Sequence, residues 1–267
     1  MCLNLNKWVG NLFIFVKLHG RSVRDSFWIQ LAKIGFVSNR LLGRRRPIGV
    51  FLLRDATVRT YYGLFRCGKN DDDLDVVFEG FERDVLTIFK PKAGESVVDC
   101  GAHIGKYSVL ASKLVGSAGQ VVALEPTPRS YQRLMMNLKL NDCDNVTPLN
   151  YAAWNETTER TLWVNSRSST NSLNPSLWAP SNIGSIKVKC LRLDEVMRTM
   201  NKIDWLKLDV EGADFEALEG ASESIRKGKI RNIIIEASKQ ATLDRLAHEG
   251  YSLTRLPSGY YHAYYGD

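Results

Sequence analysis

The sequence predicts an α/β protein built on a mostly parallel sheet that finishes in an antiparallel hairpin. Short apolar runs alternate with helical patterns between residues 97 and 236, which is the order typical of parallel βαβ units. Glycine-containing turns follow two of these runs, and acidic residues stand where the runs end. The final segment, residues 251–264, contains two strand-like runs around a Pro-Ser-Gly turn, which predicts the hairpin.

The first βαβ unit predicts a site for a cofactor that contains adenosine. Its strand, V-V-D-C at 97–100, leads into a loop between Gly101 and Gly105, and a helical pattern follows. The two glycines allow a sharp turn and a close approach to a ligand because neither carries a Cβ atom. The second apolar run ends in Glu125, about 20 residues past the loop, where a carboxylate can accept hydrogen bonds from both ribose hydroxyls.

The loop favours S-adenosylmethionine over a dinucleotide. A dinucleotide site uses G-x-G-x-x-G, whereas Ala102 and His103 stand where its middle glycine would lie. Their side chains narrow the space for a pyrophosphate and leave room for a methionyl group. The sulfonium of S-adenosylmethionine is positive, and Asp99, Glu125 and Asp209 form a negative lining that attracts it. An NAD-dependent oxidoreductase is therefore disfavoured.

A second group of acidic residues follows the strand predicted at 205–208. Asp209 stands at the carboxyl end of that strand, the edge at which open α/β sheets bind ligands. A further apolar run ends in Glu236, so another carboxylate reaches the same edge. Glu211 and Asp214 lie between them in sequence. For these two, a structural alternative is that negative charge stabilises the first turn of a helix.

Several motifs in register resemble those of FkbM-type methyltransferases, which have the class I S-adenosylmethionine-dependent fold. The motifs are V-V-D-C-G-A-H-I-G-K-Y-S from Val97, A-L-E-P around Glu125, V-K-C-L-R-L-D-E-V around Asp194, and L-K-L-D-V-E-G-A-D-F-E-A-L-E-G-A from Leu206. They cover residues 81–236. The family usually has Asn in place of His103 and often Glu in place of Asp214.

The resemblance implies a Rossmann-like, mostly parallel seven-stranded sheet and O-methylation of a hydroxyl on a glycan, glycolipid or related metabolite. In this fold the segment before the first core strand often covers the methionine end of the cofactor, so Phe81 and Glu82 are predicted to line it. The predicted cofactor-binding residues are Phe81, Glu82, Asp99, Gly101, Ala102, His103, Gly105, Tyr107, Glu125, Pro126, Ala152 and Asp209. A polar stretch at 165–185 is a candidate lid, with plain surface as the alternative.

Methyl transfer to an alcohol needs a base, because the hydroxyl keeps its proton at neutral pH. Asp209 and Glu236 are the first candidates, followed by Glu211 and His103. Lys207 alternates with the apolar residues of its strand and is interpreted as structural. The acidic residues offer oxygen ligands to a divalent cation. However, no His-rich or D-x-D pattern accompanies the acidic residues at this edge, and we predict no metal.

The N-terminal segment carries the positive charge of the chain. Residues 1–46 contain nine basic residues and one acid, a net charge of +8, against +7 for all 267 residues. Aromatic and aliphatic residues are interleaved with these bases, and the longest apolar stretch, 8–18, is too short to span a bilayer. The pattern is typical of an interfacial helix on an anionic membrane or of helices packed on the domain or a second subunit. A nucleic-acid-binding arm is less favoured.

These patterns divide the chain into three parts. Residues 1–46 form a basic, amphipathic, partly helical extension, 47–90 form a lead-in hairpin and helix that cover the cofactor site, and 91–267 form the S-adenosylmethionine-binding domain. The acidic run at 70–73 is expected to be a solvated turn. With 44% hydrophobic and 24% charged residues, the composition is that of a folded globular protein.

Five scattered cysteines and the lack of a signal-peptide pattern predict a cytoplasmic protein, with peripheral attachment to the inner membrane face as an option. The expected acceptor is a small molecule, a glycan or a lipid-linked compound. The alternative to an enzyme is a non-catalytic, membrane-associated binding or scaffold protein that retains the fold.

Overall fold

The computed structural model describes residues 19–41, 52–78, 80–177 and 179–266. The chain divides into two compact units, residues 1–83 and 84–267, and each is described by itself. Much of the predicted basic extension, 1–18 and 42–46, lies outside the described residues. The three-part division at 46 and 90 stays a prediction.

The first unit contains a small antiparallel sheet and two complete helices. Strands β1 (His19–Gly20), β2 (Ala56–Arg59) and β3 (Leu64–Cys67) pair in that order, and β2 and β3 form a hairpin within the segment 47–90. Helix α1 (Val23–Leu41) lies against β1 and β2. Helix α2 (Asp73–Val77) follows, and α3 (Arg83–Ile88) begins at the end of the unit.

Two details of the lead-in differ from the expectation. The single predicted helix is replaced by the short helices α2 and α3, because Glu82 between them adopts a left-handed conformation with φ of 54°. The acidic run is not a solvated turn, since the side chains at 71–73 are buried. The backbone N–H of Gly68 donates to Oδ2 of Asp73 at 2.7 Å, so a carboxylate of this run serves a local turn.

The second unit is built on the predicted seven-stranded sheet. Its strands are β4 (Ser96–Cys100), β5 (Gln120–Leu124), β6 (Val146–Leu149), β10 (Ile203–Leu208), β11 (Ile230–Ile235), β12 (Ser252–Arg255) and β13 (Tyr261–Tyr264). Their order is β12-β13-β11-β10-β4-β5-β6. All pairs from β6 to β11 are parallel, whereas β13 is antiparallel to both of its neighbours. The fold class, including the terminal hairpin, is confirmed.

Helices connect the strands and cover a buried apolar core. They are α4 (Lys106–Val115), α5 (Pro128–Leu140), α6 (Leu193–Val196), α7 (Asp214–Gly220), α8 (Ser222–Arg226) and α9 (Gln240–His248). Leu206, Leu208 and Ile233 are fully buried at the centre of the sheet. Among the described helices of both units, none is both long and apolar enough to cross a bilayer.

A second, three-stranded sheet contains the ends of the predicted lid. Strands β7 (Ala152–Trp154), β8 (Thr158–Asn165) and β9 (Asn182–Arg192) pair in the order β7-β9-β8. The irregular part of the polar stretch is therefore 166–181, and it contains two short 3₁₀ turns. We call residues 166–181 the strap.

Candidate functional site

Four neighbouring strands bring the predicted site residues to one edge of the main sheet. Cys100 is in register with Leu124 on one side and with Leu208 on the other, and Leu208 is in register with Ile235. The residues that follow these strand ends are Gly101, Glu125, Asp209 and Glu236. They lie at the carboxyl edge of the sheet, as predicted.

The glycine loop is packed against the end of β10. Gly101 has φ of 80°, and a Cβ atom added there would lie 1.8 Å from the carbonyl oxygen of Asp209. The backbone N–H of Asp209 in turn donates to the carbonyl oxygen of Cys100 at 3.1 Å. Glycine at position 101 is therefore required both by the left-handed turn and by the contact between two site segments.

Glu125 is buried and holds the loop in place. Its exposed fraction is 5%, and its Oε2 and Oε1 accept the backbone N–H groups of His103 at 2.9 Å and Thr127 at 2.8 Å. Burial raises the pKa of this carboxyl. His103 and the two N–H donors lower the pKa, but the effect of burial is larger. Each oxygen retains acceptor capacity. Two hydroxyl donors of a ribose would stabilise the buried carboxylate, so this residue fits the adenosine part of S-adenosylmethionine.

Two residues missed in the sequence support this turn. The side-chain amide of Asn150 donates to the carbonyl oxygens of Glu125 at 2.8 Å and Pro126 at 3.1 Å. Thr127 donates its backbone N–H to Glu125, as described above, and its Oγ1 accepts from Asn171 of the strap at 3.3 Å. Neither residue belongs to a sequence motif. Their roles depend on contacts that only the folded structure shows.

His103 joins the loop to the strap. It adopts a left-handed conformation with φ of 50°, which directs its N–H to Glu125. Its Nε2 lies 2.7 Å from Oγ of Ser168. Asn and His both adopt this left-handed conformation more often than most other residues. His in place of Asn therefore keeps the turn at a modest cost. The predicted lid thus contacts the site through Ser168 and Asn171.

Most of the other predicted cofactor-binding residues of the second unit are buried. Asp99 is buried, and its Oδ2 accepts from Oγ of Ser108 at 2.6 Å. Ala102 and Tyr107 are buried, and Gly105, with φ of 94°, is the N-cap of helix α4. Pro126 is half-buried beside Glu125, and Ala152 is buried in β7, where it pairs with Cys190.

Phe81 and Glu82 belong to the first unit, and their predicted contact with the cofactor stays a prediction.

Three carboxylates converge at the ends of β10 and β11. Asp209, Glu211 and Glu236 each place a carboxylate oxygen within 4.8 Å of the others. Glu211 is held in a left-handed conformation with φ of 47°, and its carbonyl oxygen accepts from Oγ of Ser172 of the strap at 2.5 Å. We call these three residues the rim carboxylates. The sequence placed Asp209 and Glu236 at this edge and left a structural alternative open for Glu211.

Lys207 belongs to the rim as well as to the sheet. Its side chain is buried and donates from Nζ to Oδ2 of Asp209 at 2.7 Å. The ammonium lies 4.5 Å from the centre of the Tyr107 ring and 5.9 Å from that of Tyr260. Lys207 does alternate with Leu206 and Leu208, but the face that it shares with Asp209 is the one that carries the site. The interpretation as a purely structural residue missed this ion pair.

Two acidic residues of the motifs lie away from the rim. Asp214 is buried, where its carboxylate accepts from Ser238 and, at 2.7 Å, from Thr242, so it ties α7 to α9. Asp194 accepts the backbone N–H groups of Glu223 at 3.0 Å and Ser224 at 2.9 Å at the start of α8. Both residues stabilise the framework.

Comparison with known proteins identifies the family. Residues 99–253 match the model of the methyltransferase FkbM domain, which covers more than half of the chain. The chain belongs to the FkbM methyltransferase family. Its cofactor is therefore S-adenosylmethionine, and its class is that of methyltransferases, as the sequence motifs indicated.

Similar proteins and structures come from different organisms. The methyltransferase sdnD of Sordaria araneosa is 27% identical over 198 residues, which cover 60% of this chain and 74% of that protein. The crystal structure of an FkbM methyltransferase from Methylobacillus flagellatus is 20% identical with a TM-score of 0.46, and the match covers 64% of this chain and 43% of that chain. This chain thus spans less than half of that protein.

Aeropyrum pernix fibrillarin, solved with natively bound S-adenosylmethionine, is 14% identical to this chain with a TM-score of 0.42. The match covers 79% of this chain and 93% of that one.

Proposed function

We propose that this FkbM protein transfers a methyl group from S-adenosylmethionine to a hydroxyl of a glycan, glycolipid or related metabolite. The observation that supports this most strongly is the convergence of the rim carboxylates at the sheet edge that also carries the glycine loop and Glu125. A hydroxyl acceptor needs a group that takes its proton, and carboxylates at this position provide one.

The cofactor would be held by this chain's loop and second strand. The glycine loop and the carboxylate of Glu125 would bind the nucleoside, and the rim carboxylates would lie toward the positive sulfur. When bound, S-adenosylmethionine supplies an activated methyl group whose departure from sulfur needs no acid. The protein therefore has to orient the acceptor, take up one proton and exclude water.

Glu236 is proposed to accept the proton. It is the exposed member of the rim carboxylates, whereas Oδ2 of Asp209 is held by the buried ammonium of Lys207 at 2.7 Å. Asp209 is thereby fixed in one orientation, which suits a group that positions the acceptor hydroxyl. As the new carbon–oxygen bond forms, the hydroxyl proton passes to Glu236.

The strap is proposed to shield the reaction from water. Its Ser168 lies against His103 of the loop, and its Ser172 donates to the backbone of Glu211 at the rim. It thus contacts both the cofactor-binding and the acceptor side of the site. The four described cysteines are free and buried, which supports the proposal that the reaction takes place in the reducing cytoplasm.

Label transfer tests the proposal. The protein would be incubated with methyl-tritiated S-adenosylmethionine and with separated glycan, glycolipid and small-metabolite fractions. We expect alkali-stable label, as in an ether, in one of these fractions. The substitution Glu236→Gln should lower kcat by about 100-fold, the usual contribution of a general base, and should weaken cofactor binding much less than that.

The matched control is Glu249→Gln, which removes a carboxylate at the end of α9 away from the rim. It should leave kcat unchanged. Label only on nitrogen, or full activity of Glu236→Gln, would contradict the proposal. Cofactor binding without transfer to any fraction would favour the non-catalytic alternative.

A further inference from the structure

Helix α1 of the first unit exposes a row of apolar side chains. Val23, Phe27 and Ile34 are 90%, 56% and 64% exposed, and a row of exposed large apolar side chains is informative where a single one is not. The opposite side of the helix is buried through Ile29 and Ala32. We call Val23, Phe27 and Ile34 the apolar stripe.

The apolar stripe lies along one line of the helix. Its members are separated by four and seven residues, spacings that return to the same face of an α-helix. At 1.5 Å per residue the stripe is about 16 Å long. Gln30, which falls between Phe27 and Ile34 on this face, is also exposed. The stripe therefore faces away from the sheet that supports α1.

Positive charge accompanies the apolar stripe. Arg21 and Arg24 are exposed and flank Val23 at the start of the helix. They belong to the segment 1–46, in which nine basic residues stand against a single acid. A protein partner would need a matching acidic rim, whereas an anionic lipid surface offers both hydrocarbon for the stripe and negative charge for the arginines.

We propose that α1 is an interfacial helix that lays the apolar stripe into an anionic lipid surface, with Arg21 and Arg24 at the level of the headgroups. The helix lies in the plane of the membrane surface and does not cross it. This inference does not depend on methyl transfer. The apolar stripe and the two arginines together would form a surface that docks on anionic lipid.

Co-sedimentation with vesicles tests the proposal on the full chain. The probes are vesicles of phosphatidylcholine alone and of phosphatidylcholine with phosphatidylserine. We expect binding only to the second kind, weakened by salt because the arginine contribution is screened. The double substitution Phe27→Ser and Ile34→Ser should lower the partition coefficient about tenfold. Arg21→Gln with Arg24→Gln should also lower it several-fold.

The matched control is Ile183→Ser, which removes an exposed apolar residue, 69% exposed, from β9 of the second unit. It should bind vesicles like the wild type, and circular dichroism should show every variant folded. The proposal is overturned if the wild type binds neither kind of vesicle, or if the stripe variant binds as strongly as the wild type. It is also overturned if sedimentation without vesicles shows a dimer that the stripe variant abolishes, because a second copy would then cover the stripe.

Discussion

At the scale of single residues, the site depends on groups whose chemistry is set by their immediate neighbours. Lys207 is 1% exposed, and the carboxylate of Asp209 and the face of the Tyr107 ring surround its ammonium. A buried charge is costly without such partners. The pair therefore fixes Asp209 more firmly than a surface ion pair would.

Replacement of Lys207 by Met should separate this positioning role from simple packing. Met fills a similar volume but leaves Asp209 without its ammonium, so we expect kcat to fall at least tenfold while the affinity for S-adenosylmethionine changes little. Lys207→Arg, which keeps the charge, should recover part of the lost activity. Steady-state kinetics and calorimetry measure the two quantities. If Lys207→Met and Lys207→Arg lost activity equally and both were unfolded, Lys207 would only support the sheet.

Gly101 and Gly94 form a matched pair for a second prediction. Both have φ of 80°, but a Cβ at position 94 meets nothing within 4 Å, whereas at 101 it meets the carbonyl of Asp209. Gly94→Ala should cost about 1 kcal/mol of unfolding free energy from backbone strain. Gly101→Ala should cost about 3 kcal/mol and weaken cofactor binding. Urea unfolding measures the difference, and equal costs would show that the clash is relieved elsewhere.

At the scale of elements, the strap is the part of the site that local sequence did not define. The strand ends were predictable because parallel strands separated by helices place their carboxyl ends on one edge. Residues 166–181 have no periodicity, so only the folded structure shows that they contact His103, Thr127 and Glu211. Asn150 was missed for the same reason, since its partners are far away in sequence.

Loss of the Ser168 hydroxyl should loosen the strap. Ser168→Ala removes the contact with Nε2 of His103, and we expect amide hydrogen exchange at 166–181 to become several-fold faster while β4 stays protected. Ser176→Ala is the matched control, because that hydroxyl donates to Asn174 of the same strap at 2.8 Å and, among the described residues, does not contact the cofactor loop. Unchanged exchange in Ser168→Ala would remove the support for a strap anchored at the cofactor loop.

At the scale of the whole molecule, the mostly parallel sheet and the terminal hairpin were predicted from the sequence, because apolar runs alternate with helical patterns and a Pro-Ser-Gly turn lies between the last two runs. The number of strands was implied by the resemblance to FkbM-type methyltransferases. The sequence did not show which face of the central strands carries the site. A strand between two parallel neighbours is buried on both faces, so alternation does not show which side carries chemistry. That is why Lys207 was interpreted as structural.

Burial of Glu125 also gives the stability of the ligand-free protein a pH dependence. Its pKa is raised in the folded state, so the folded protein binds more protons than the unfolded chain just above the ordinary Glu value. The stabilising contribution is complete below the unfolded pKa and is lost as the pH rises through the folded pKa.

Glu125→Gln does not titrate at this position and should lack this fall in unfolding free energy. The loss is about 1.4 kcal/mol for each unit by which the folded pKa exceeds the unfolded one. Urea unfolding across the acidic range, with wild type and variant compared at each pH, measures it. Parallel pH profiles for the two proteins would show that Glu125 is not the group responsible.

The buried carboxylate of Glu125 is the proposed anchor of the nucleoside. Calorimetric titration of S-adenosylmethionine into the wild type, Glu125→Ala and the control Glu249→Ala tests it. We expect saturable binding by the wild type and the control, and at least a 100-fold weaker affinity in Glu125→Ala, about 3 kcal/mol from two lost hydrogen bonds to a charged group. Equal affinity in all three proteins, or no binding by the wild type, would contradict this role of Glu125.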